Sequence, residues 1–545
     1  MATYQFLILF YVLLIISNVH LGFCDCPNDG IATNETQFRD CIVDGKTFEL
    51  GNDIDFNIGS TGDMIQNSPT FEFDGNGYTI YLQINTIPID GGGSSEFGII
   101  TTLAQNTVAK NFRIYSDNDF EITNCGTSCN LGTFAGITSD NTITSNVTVL
   151  SSLGGDRNFV GGIIGSVINS EITDSKFEGS INAEATGLGG ISGSVRGSSI
   201  ESCASNAGIQ CSSQTFNIGI LAGQMIDFST LLNSKCNGTV SAPAVSRVGG
   251  MVGEMSSSSA EHCKAEDIFV EANNDVGGFV GNVNAGGTIT NSTSSGYIIA
   301  EENNGGFAGL MSTNTIATEC HSQVDVESNF RYAGGFVGRQ RHGSEIRLCS
   351  SNSNVHGRLN VGCFAGSSES GLSIPSMILE SYSIGFLNST TIGESQTHWV
   401  GGFIAVTNHA LINNTYTRCN VRVITEGDVI NDQDVGGFVG NILGSAGDDT
   451  IQRSYTVSTL DITTTGSVSG SRNIGCFAGD TNVVKEFTSE FNYYDNEQCS
   501  EGSVGTGSDA GITGLTTDEM QGESASANMQ GYDFENVWIE ITYHV

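Results

Sequence analysis

A glycine-marked motif returns at nearly constant spacing over most of this chain, and no other feature restricts the fold so strongly. It runs Gly132-Thr-Phe-Ala-Gly136, Gly161-Gly-Ile-Ile-Gly165, Gly189-Gly-Ile-Ser-Gly193, Ile218-Gly-Ile-Leu-Ala222, Gly249-Gly-Met-Val-Gly253 and Gly277-Gly-Phe-Val-Gly281. It continues as Gly305-Gly-Phe-Ala-Gly309, Gly334-Gly-Phe-Val-Gly338, Gly362-Cys-Phe-Ala-Gly366, Gly401-Gly-Phe-Ile-Ala405, Gly436-Gly-Phe-Val-Gly440 and Gly475-Cys-Phe-Ala-Gly479. The twelve copies lie 28 to 31 residues apart through the first eight intervals and 35 to 39 apart in the last three. A period of this size marks a solenoid, and the longer late intervals predict loops inserted into late coils.

Between the glycine clusters lie short segments of period-2 alternation rich in β-branched residues, such as Ser170-Glu-Ile-Thr-Asp-Ser-Lys-Phe-Glu-Gly179 and Thr288-Ile-Thr-Asn-Ser-Thr-Ser-Ser-Gly296. They read as strands, two or three to a coil. One such coil cannot bury its own apolar face. Coils piled ~4.8 Å apart pair every backbone group with the coil above and below and enclose a continuous interior. The residue after the glycine pair is expected to form an inward column, and the glycines to supply positive φ and close approach. No Gly-x-Gly-x-x-Gly helix opening accompanies them, so they are not a phosphate cradle. The predicted fold class is all-β, a right-handed parallel β-helix with a cap at each end. Residues 25–94 form the N-terminal cap and opening coils, 95–500 the repeats and 501–545 the C-terminal cap. Caps are needed because an open coil presents unpaired strand edges. Glu35 to Ile42 suits a short helix in the first cap; Trp538 and Phe534, after a short helix near Thr516 to Gln521, suit the core of the last.

Glycine, at 71 of 545 residues, with only 5 prolines excludes collagen, and 38% hydrophobic against 14% charged residues is enough for a packed core. The net charge of −39 opposes binding to nucleic acid, whose affinity rests on Lys and Arg neutralising phosphates. An apolar run from Phe6 to Ile16, followed by small residues near Gly22 to Cys24, predicts a signal peptide over 1–24, although no Lys or Arg precedes the run. No later stretch is long and apolar enough to be expected to span a bilayer. Six sequons, at Asn34, Asn146, Asn237, Asn291, Asn388 and Asn413, fit a secretory route and are the expected glycosylation sites.

With these repeats in place, the sequence resembles the GLUG-repeat family, named for a Gly-Leu-any-Gly core and found in bacterial surface adhesins, immunoglobulin A peptidases and secreted proteins of microbial eukaryotes. The resemblance covers residues 45–540. Phe48-Glu-Leu-Gly-Asn-Asp-Ile-Asp-Phe56 and Phe71-Glu-Phe-Asp-Gly-Asn-Gly-Tyr-Thr-Ile80 are similar to the family's opening segment. Phe491-Asn-Tyr-Tyr-Asp495, Gly514-Leu-Thr-Thr-Asp-Glu-Met520 and Tyr532-Asp-Phe-Glu-Asn-Val-Trp538 are similar to its closing segment. Many copies carry Phe-Val or Phe-Ala in place of Leu-any, a conservative departure. The resemblance implies an adhesin-like role. The peptidase activity of some relatives does not carry over, because no His-Glu-x-x-His occurs.

Fifteen cysteines in a secretory context predict disulfides. Cys26 with Cys41 and Cys125 with Cys129 are the expected pairs. Cys203, Cys263, Cys320 and Cys349 occupy equivalent strand positions, and Cys320 and Cys349 fall on adjacent coils, within disulfide reach. A bond there and a dry ladder of free thiols both fit the spacing. Nothing has zinc-ligand spacing, and no cofactor is expected. The acidic runs Glu301-Glu302, Asp432 to Asp434 and Asp448-Asp449 read as solvated corner residues rather than a hydrolase or lyase site. The sharpest departure from the repeat is a basic cluster. Arg331, Arg339, Arg341, Arg347 and Arg358, with His342 and His356, place five of 20 basic residues within one coil and its neighbours. On an acidic body this is the candidate site for an anionic glycan or acidic partner, against the simpler expectation that the arginines offset nearby carboxylates. The function expected is a secreted or cell-surface, non-catalytic binding or structural protein whose partners are glycans or surface and matrix proteins. The alternative is a carbohydrate-active enzyme on the same scaffold.

Overall fold

Strands of successive repeats pair in parallel and in register, so that each coil lies on the one before it: Phe159–Gly161 pairs with Gly187–Gly189, and Lys176–Glu184 with Ala204–Gln210. The computed structural model describes residues 26–532 apart from 67, 85–95, 123–128, 157, 213–215, 372–373, 393–395, 427–431, 466–468 and 483–485. The expected signal peptide over 1–24, Cys125, Phe534 and Trp538 therefore lie outside the described residues. Within them the chain is a parallel β-helix.

Several coils hold four strand segments, one more than expected, while the coil from Asn130 holds three and two later coils fuse the fourth segment with the next coil's first. In one representative coil the four are Phe159–Gly161, Ile164–Ile168, Glu171–Thr173 and the long Lys176–Glu184, called here the first, second, third and fourth strands. The second strands alone form a 14-stranded ladder, from Ile100–Leu103 to Val504–Thr506. The repeat count of twelve is thus two rungs short. The outermost rungs escape the motif because they lack the glycine pair, reading Gly98-Ile-Ile100 and Gly502-Ser-Val504, and the stack runs past residue 500.

The inward column expected after the glycines is present. Phe279, Phe307, Phe336, Phe364, Phe403, Phe438 and Phe477 stack face to face, with centroids 4.8–5.1 Å apart and planes within 12°. The rung spacing imposes this offset ring-on-ring geometry. In the fourth copy the alignment shifts by one: Gly219 pairs with Gly189 and Gly249, so Leu221 enters the column and Ile220 takes the second glycine's place.

The glycine pairs serve proximity, not positive φ, for none of them falls in the left-handed region. A Cβ on Gly161 would meet the Ile164 carbonyl oxygen at 2.0 Å, and one on Gly162 the Gly190 oxygen at 2.1 Å and the Phe177 ring at 2.2 Å. Here the bend between first and second strands presses on the opposite, fourth-strand wall. That wall answers with hydroxyls and thiols that donate to the bend's carbonyls, as Ser294 does to Gly306 (2.8 Å), Thr417 to Gly402 (2.7 Å) and Cys236 to Gly250 (3.0 Å).

Left-handed backbone appears instead at the corner before the fourth strand, at Asn146, Asp174, Asn233 and Asn291, and even at Leu348 (φ 54°) and Phe491 (φ 55°). Asn and Asp tolerate this region best. Except after Asn146, which Val147 follows, the next residue is Ser, Cys, Thr or Asn, and it ties the corner together. Ser175 donates to the Thr173 carbonyl and accepts from Val147 N–H one coil back.

The N-terminal cap is a helix, Glu35–Val43, started by Asn34, whose side chain accepts from Gln37 N–H at 3.0 Å. Phe38 plugs the first coil against Phe48, Phe56 and Phe73, and Cys26 is bonded to Cys41. At the other end the expected short helix is a 3-10 turn, Asp518–Met520, followed by an α-helix, Gly522–Asn528, that lacks an apolar period and was not anticipated. Ala525 and Met529 pack on Tyr493 there.

Candidate functional site

Two outward-facing regions concentrate side chains with chemistry. The first is a seam where the first and second strands of each coil fold toward one another. Residues seven apart meet across it: Asn217 donates to Gln224, Arg247 to Glu254, and Asn441 to Asp434. Part of the basic cluster lies here. Arg331 pairs with Glu302 (2.9 Å), Arg339 with Glu369 (2.9 Å), and both guanidinium groups sit over Tyr332, at 5.2 and 4.6 Å from its ring centroid. Asp275 stands two rungs below Tyr332, held by the Asn303 amide at 2.7 Å. Burial raises the pKa of both Asp275 and Tyr332.

The seam does not gather the whole cluster. Arg341 ends the second strand; Arg347 lies on the third, paired with Glu345 and Glu380; Arg358 lies between the fourth strand and the next first strand. His342 occupies a corner, its pKa lowered by burial and by Arg341 and Arg339, and His356 is exposed on the fourth strand. Arg331, Arg339 and Arg347 are thus engaged by carboxylates, and the cluster is spread over different strands, which corrects the picture of one basic patch. Sequence proximity misled because consecutive strands of a coil face different directions.

The acidic runs are corrected at two residues: Asp434 is 2% exposed and Asp449 0% exposed, so neither is a solvated corner residue, while Glu301, Asp432 and Asp448 are exposed as expected. Asn441 and Asn473 both donate to Asp434, at 2.6 and 2.7 Å, yet burial pushes its pKa up to about 6. Asp449 accepts from Ala410 N–H. Nearby, His398 is fully buried, between Ser389 (2.7 Å) and the Gln433 amide (3.1 Å), and burial depresses its pKa to about 4. Among the described residues no group of three or more His, Cys, Asp or Glu is arranged to hold a metal ion.

Cys320 and Cys349 are separate buried thiols, not a disulfide. Each donates within its own corner, Cys320 to Thr318 and Cys349 to Arg347, and Cys349 sulfur accepts from Cys320 N–H at 3.4 Å. Cys203 and Cys263 do the same job, and burial raises their pKa values to about 12 and about 11. Cys129 is disulfide-bonded. Two bonds went unanticipated, Cys363–Cys419 and Cys476–Cys499. Their signal was legible, since Cys363 and Cys476 replace the second glycine, the position pressed against the opposite wall. Of the six sequon asparagines, Asn34, Asn146, Asn237 and Asn291 are exposed, while Asn388 and Asn413 are half-buried.

The second region is the outer face of the fourth strands. Buried and outward residues largely alternate along each strand, and the rungs stay in register apart from a bulge at Ala265/Ile268 and a shift at Ala300/Glu302, so outward positions form columns. One column runs Thr239, Phe269, Tyr297, Asp325, Asn354 and Phe386. It is polar and aromatic, without the arginines of the seam. Near the C-terminal cap lies a cavity of about 440 Å³ lined by Ser489, Glu490, Tyr493, Thr513 and Asn528. No protein-family model, no curated protein and no solved structure matches this chain.

Proposed function

We propose that this chain is a secreted or surface-held, non-catalytic binding protein of adhesin-like character, whose partners are glycans or surface and matrix proteins. The observation that carries this reading is the outer face of the fourth strands, a ladder of outward polar and charged side chains such as Asn206, Thr239, Asp325 and Asn354, joined at some rungs by the aromatic Phe269 and Tyr297. Such a surface offers many equivalent weak contacts, which together give useful avidity. The disulfides, and the absence among the described residues of any helix long and apolar enough to cross a membrane, are compatible with an extracellular setting. The GLUG resemblance supports the same role, and the sequons would place glycans of the protein's own along the stack.

The second reading, a carbohydrate-active enzyme, draws on one observation: Asp275, with its raised pKa, shares the seam with Tyr332 and Arg339. A raised carboxyl suits a general acid. Its would-be partners Glu302 and Glu369 are bound to arginines, which leaves no free second carboxylate there. The two readings separate in one experiment, a glycan and cell-surface binding screen of the purified chain run beside a reducing-sugar assay on polyuronides. Saturable binding without turnover is expected; turnover abolished by Asp275→Asn would reverse the assignment.

A further inference from the structure

The aromatic column of the fourth-strand face is flanked by carboxylates that, unlike Glu254, Glu302 and Glu369 of the seam, pair with no arginine among the described residues. Phe269 and Tyr297 stack with centroids 6.1 Å apart and planes at 21°, and Phe269 is 38% exposed although it lies mid-strand. Glu271 and Glu327 line one side of the pair. Asp325 follows in the same column. On the other side the strand carries a bulge between Ala265 and Ile268, where Asp267 is in the left-handed region (φ 50°) and Glu266 and Asp267 both project to solvent. An extra residue of this kind re-aims side chains and is a feature of binding surfaces.

None of these five carboxylates is in an ion pair among the described residues, whereas Glu254, Glu302 and Glu369 each hold an arginine on the seam. The bonds they do make are weak neutralisers: Tyr297 hydroxyl to Glu327, Ser241 hydroxyl to Glu271, and Asn354 N–H to Asp325. Lys264, exposed at the start of the same strand, is the only nearby cation on that strand. Among the described residues no His, Cys, Asp or Glu group here is arranged to hold a metal ion either. Carboxylates without an ion pair, beside an outward pair of stacked rings on a body of net charge −39, complement a cation that is flat or carried on an apolar stem.

We propose that this patch, centred on Phe269 and Tyr297 and flanked by Glu266, Asp267, Glu271 and Glu327, docks an arginine- or lysine-bearing polypeptide segment of a partner protein. The proposal rests on the binding role argued above and names the partner class for one stretch of that face. Guanidinium or ammonium groups would lie over the rings while their N–H groups reach the carboxylates on either side. The bulge widens the acidic side, and the register places Asp325 where a second basic residue would fall one rung along.

The test is titration of the full purified chain with labelled oligoarginine and oligolysine peptides at physiological salt, beside a neutral glycan array. The variant Phe269→Leu/Tyr297→Leu keeps the net charge and the apolar area but removes the rings, and its affinity is expected to fall at least about tenfold. Replacing Glu266, Asp267, Glu271, Asp325 and Glu327 by their amides is expected to do the same. Amides at Asp55, Glu121, Glu171, Glu184 and Glu201, the same number of charges on other coils, should cost less than about twofold if binding is local. Equal weakening by the two amide sets, or parental affinity in the leucine variant with an unchanged melting temperature, would overturn the proposal. So would a parent that ignores both peptides; if that parent still binds the glycan array, the broader binding role stands without it.

Discussion

Two buried ionisable side chains oppose one another in how acid affects this molecule. His398 is held neutral, its pKa depressed to about 4 by burial, so it favours the folded state above its ordinary value of 6.5 and that contribution is lost as pH falls toward 4. Asp434 has its pKa raised to about 6 from 3.8, so its contribution is complete below 3.8 and lost as pH rises through 6. Each shift corresponds to about 3 kcal/mol, and on acidification from neutral pH the two nearly cancel. The variant His398→Gln should therefore gain stability on going from pH 7 to pH 4 relative to the parent, and Asp434→Asn should lose it. Urea midpoints at the two pH values check both signs; parallel slopes in parent and variants would refute the assignment. Neither residue announces itself in the sequence, because burial of a polar side chain is decided by which strands stack above and below it.

At the scale of a single element, the corner ladder explains why cysteines recur at one repeat position without forming disulfides. Cys320 and Cys349 stand where other coils have Ser175, Ser234, Ser292 and Ser381, and sulfur and hydroxyl do the same work there: each accepts from, or donates to, backbone groups that the turn would otherwise strand. Cys349→Ser is therefore expected to change stability by less than about 1 kcal/mol, whereas Cys349→Val, similar in volume, leaves Cys320 N–H without its acceptor and should cost about 1–3 kcal/mol. Denaturant titration of both variants decides the matter, and equal stability of the two would remove the ladder's role. Thiol alkylation should proceed only on unfolding. The repeat frame had shown that these positions are equivalent. What it could not show is that each sulfur points at its own strand's carbonyl rather than at the sulfur one rung away.

For the whole molecule, a stack whose coils touch only their neighbours is as strong as its ends. Cys476–Cys499 closes a loop of 23 residues at the last full coil, and losing it should cost about 3 kcal/mol, concentrated where the C-terminal cap meets the stack. Hydrogen exchange of Cys476→Ala/Cys499→Ala should show faster exchange from Leu460 onward with the Phe279 to Phe364 column unchanged. Uniform acceleration along the chain would mean that the stack opens as one unit instead. Already legible in the residues were the fold class, the inward phenylalanine column and the N-terminal helix with its Cys26–Cys41 bond, because a fixed period and a bend that keeps glycine at its first position leave one way to bury apolar faces. Only the tertiary structure decided which way each strand's outer residues point. It split five nearby arginines among different faces, buried Asp434 and Asp449, and aligned Phe269 with Tyr297, residues 28 positions apart, because direction around a coil depends on where the chain turns.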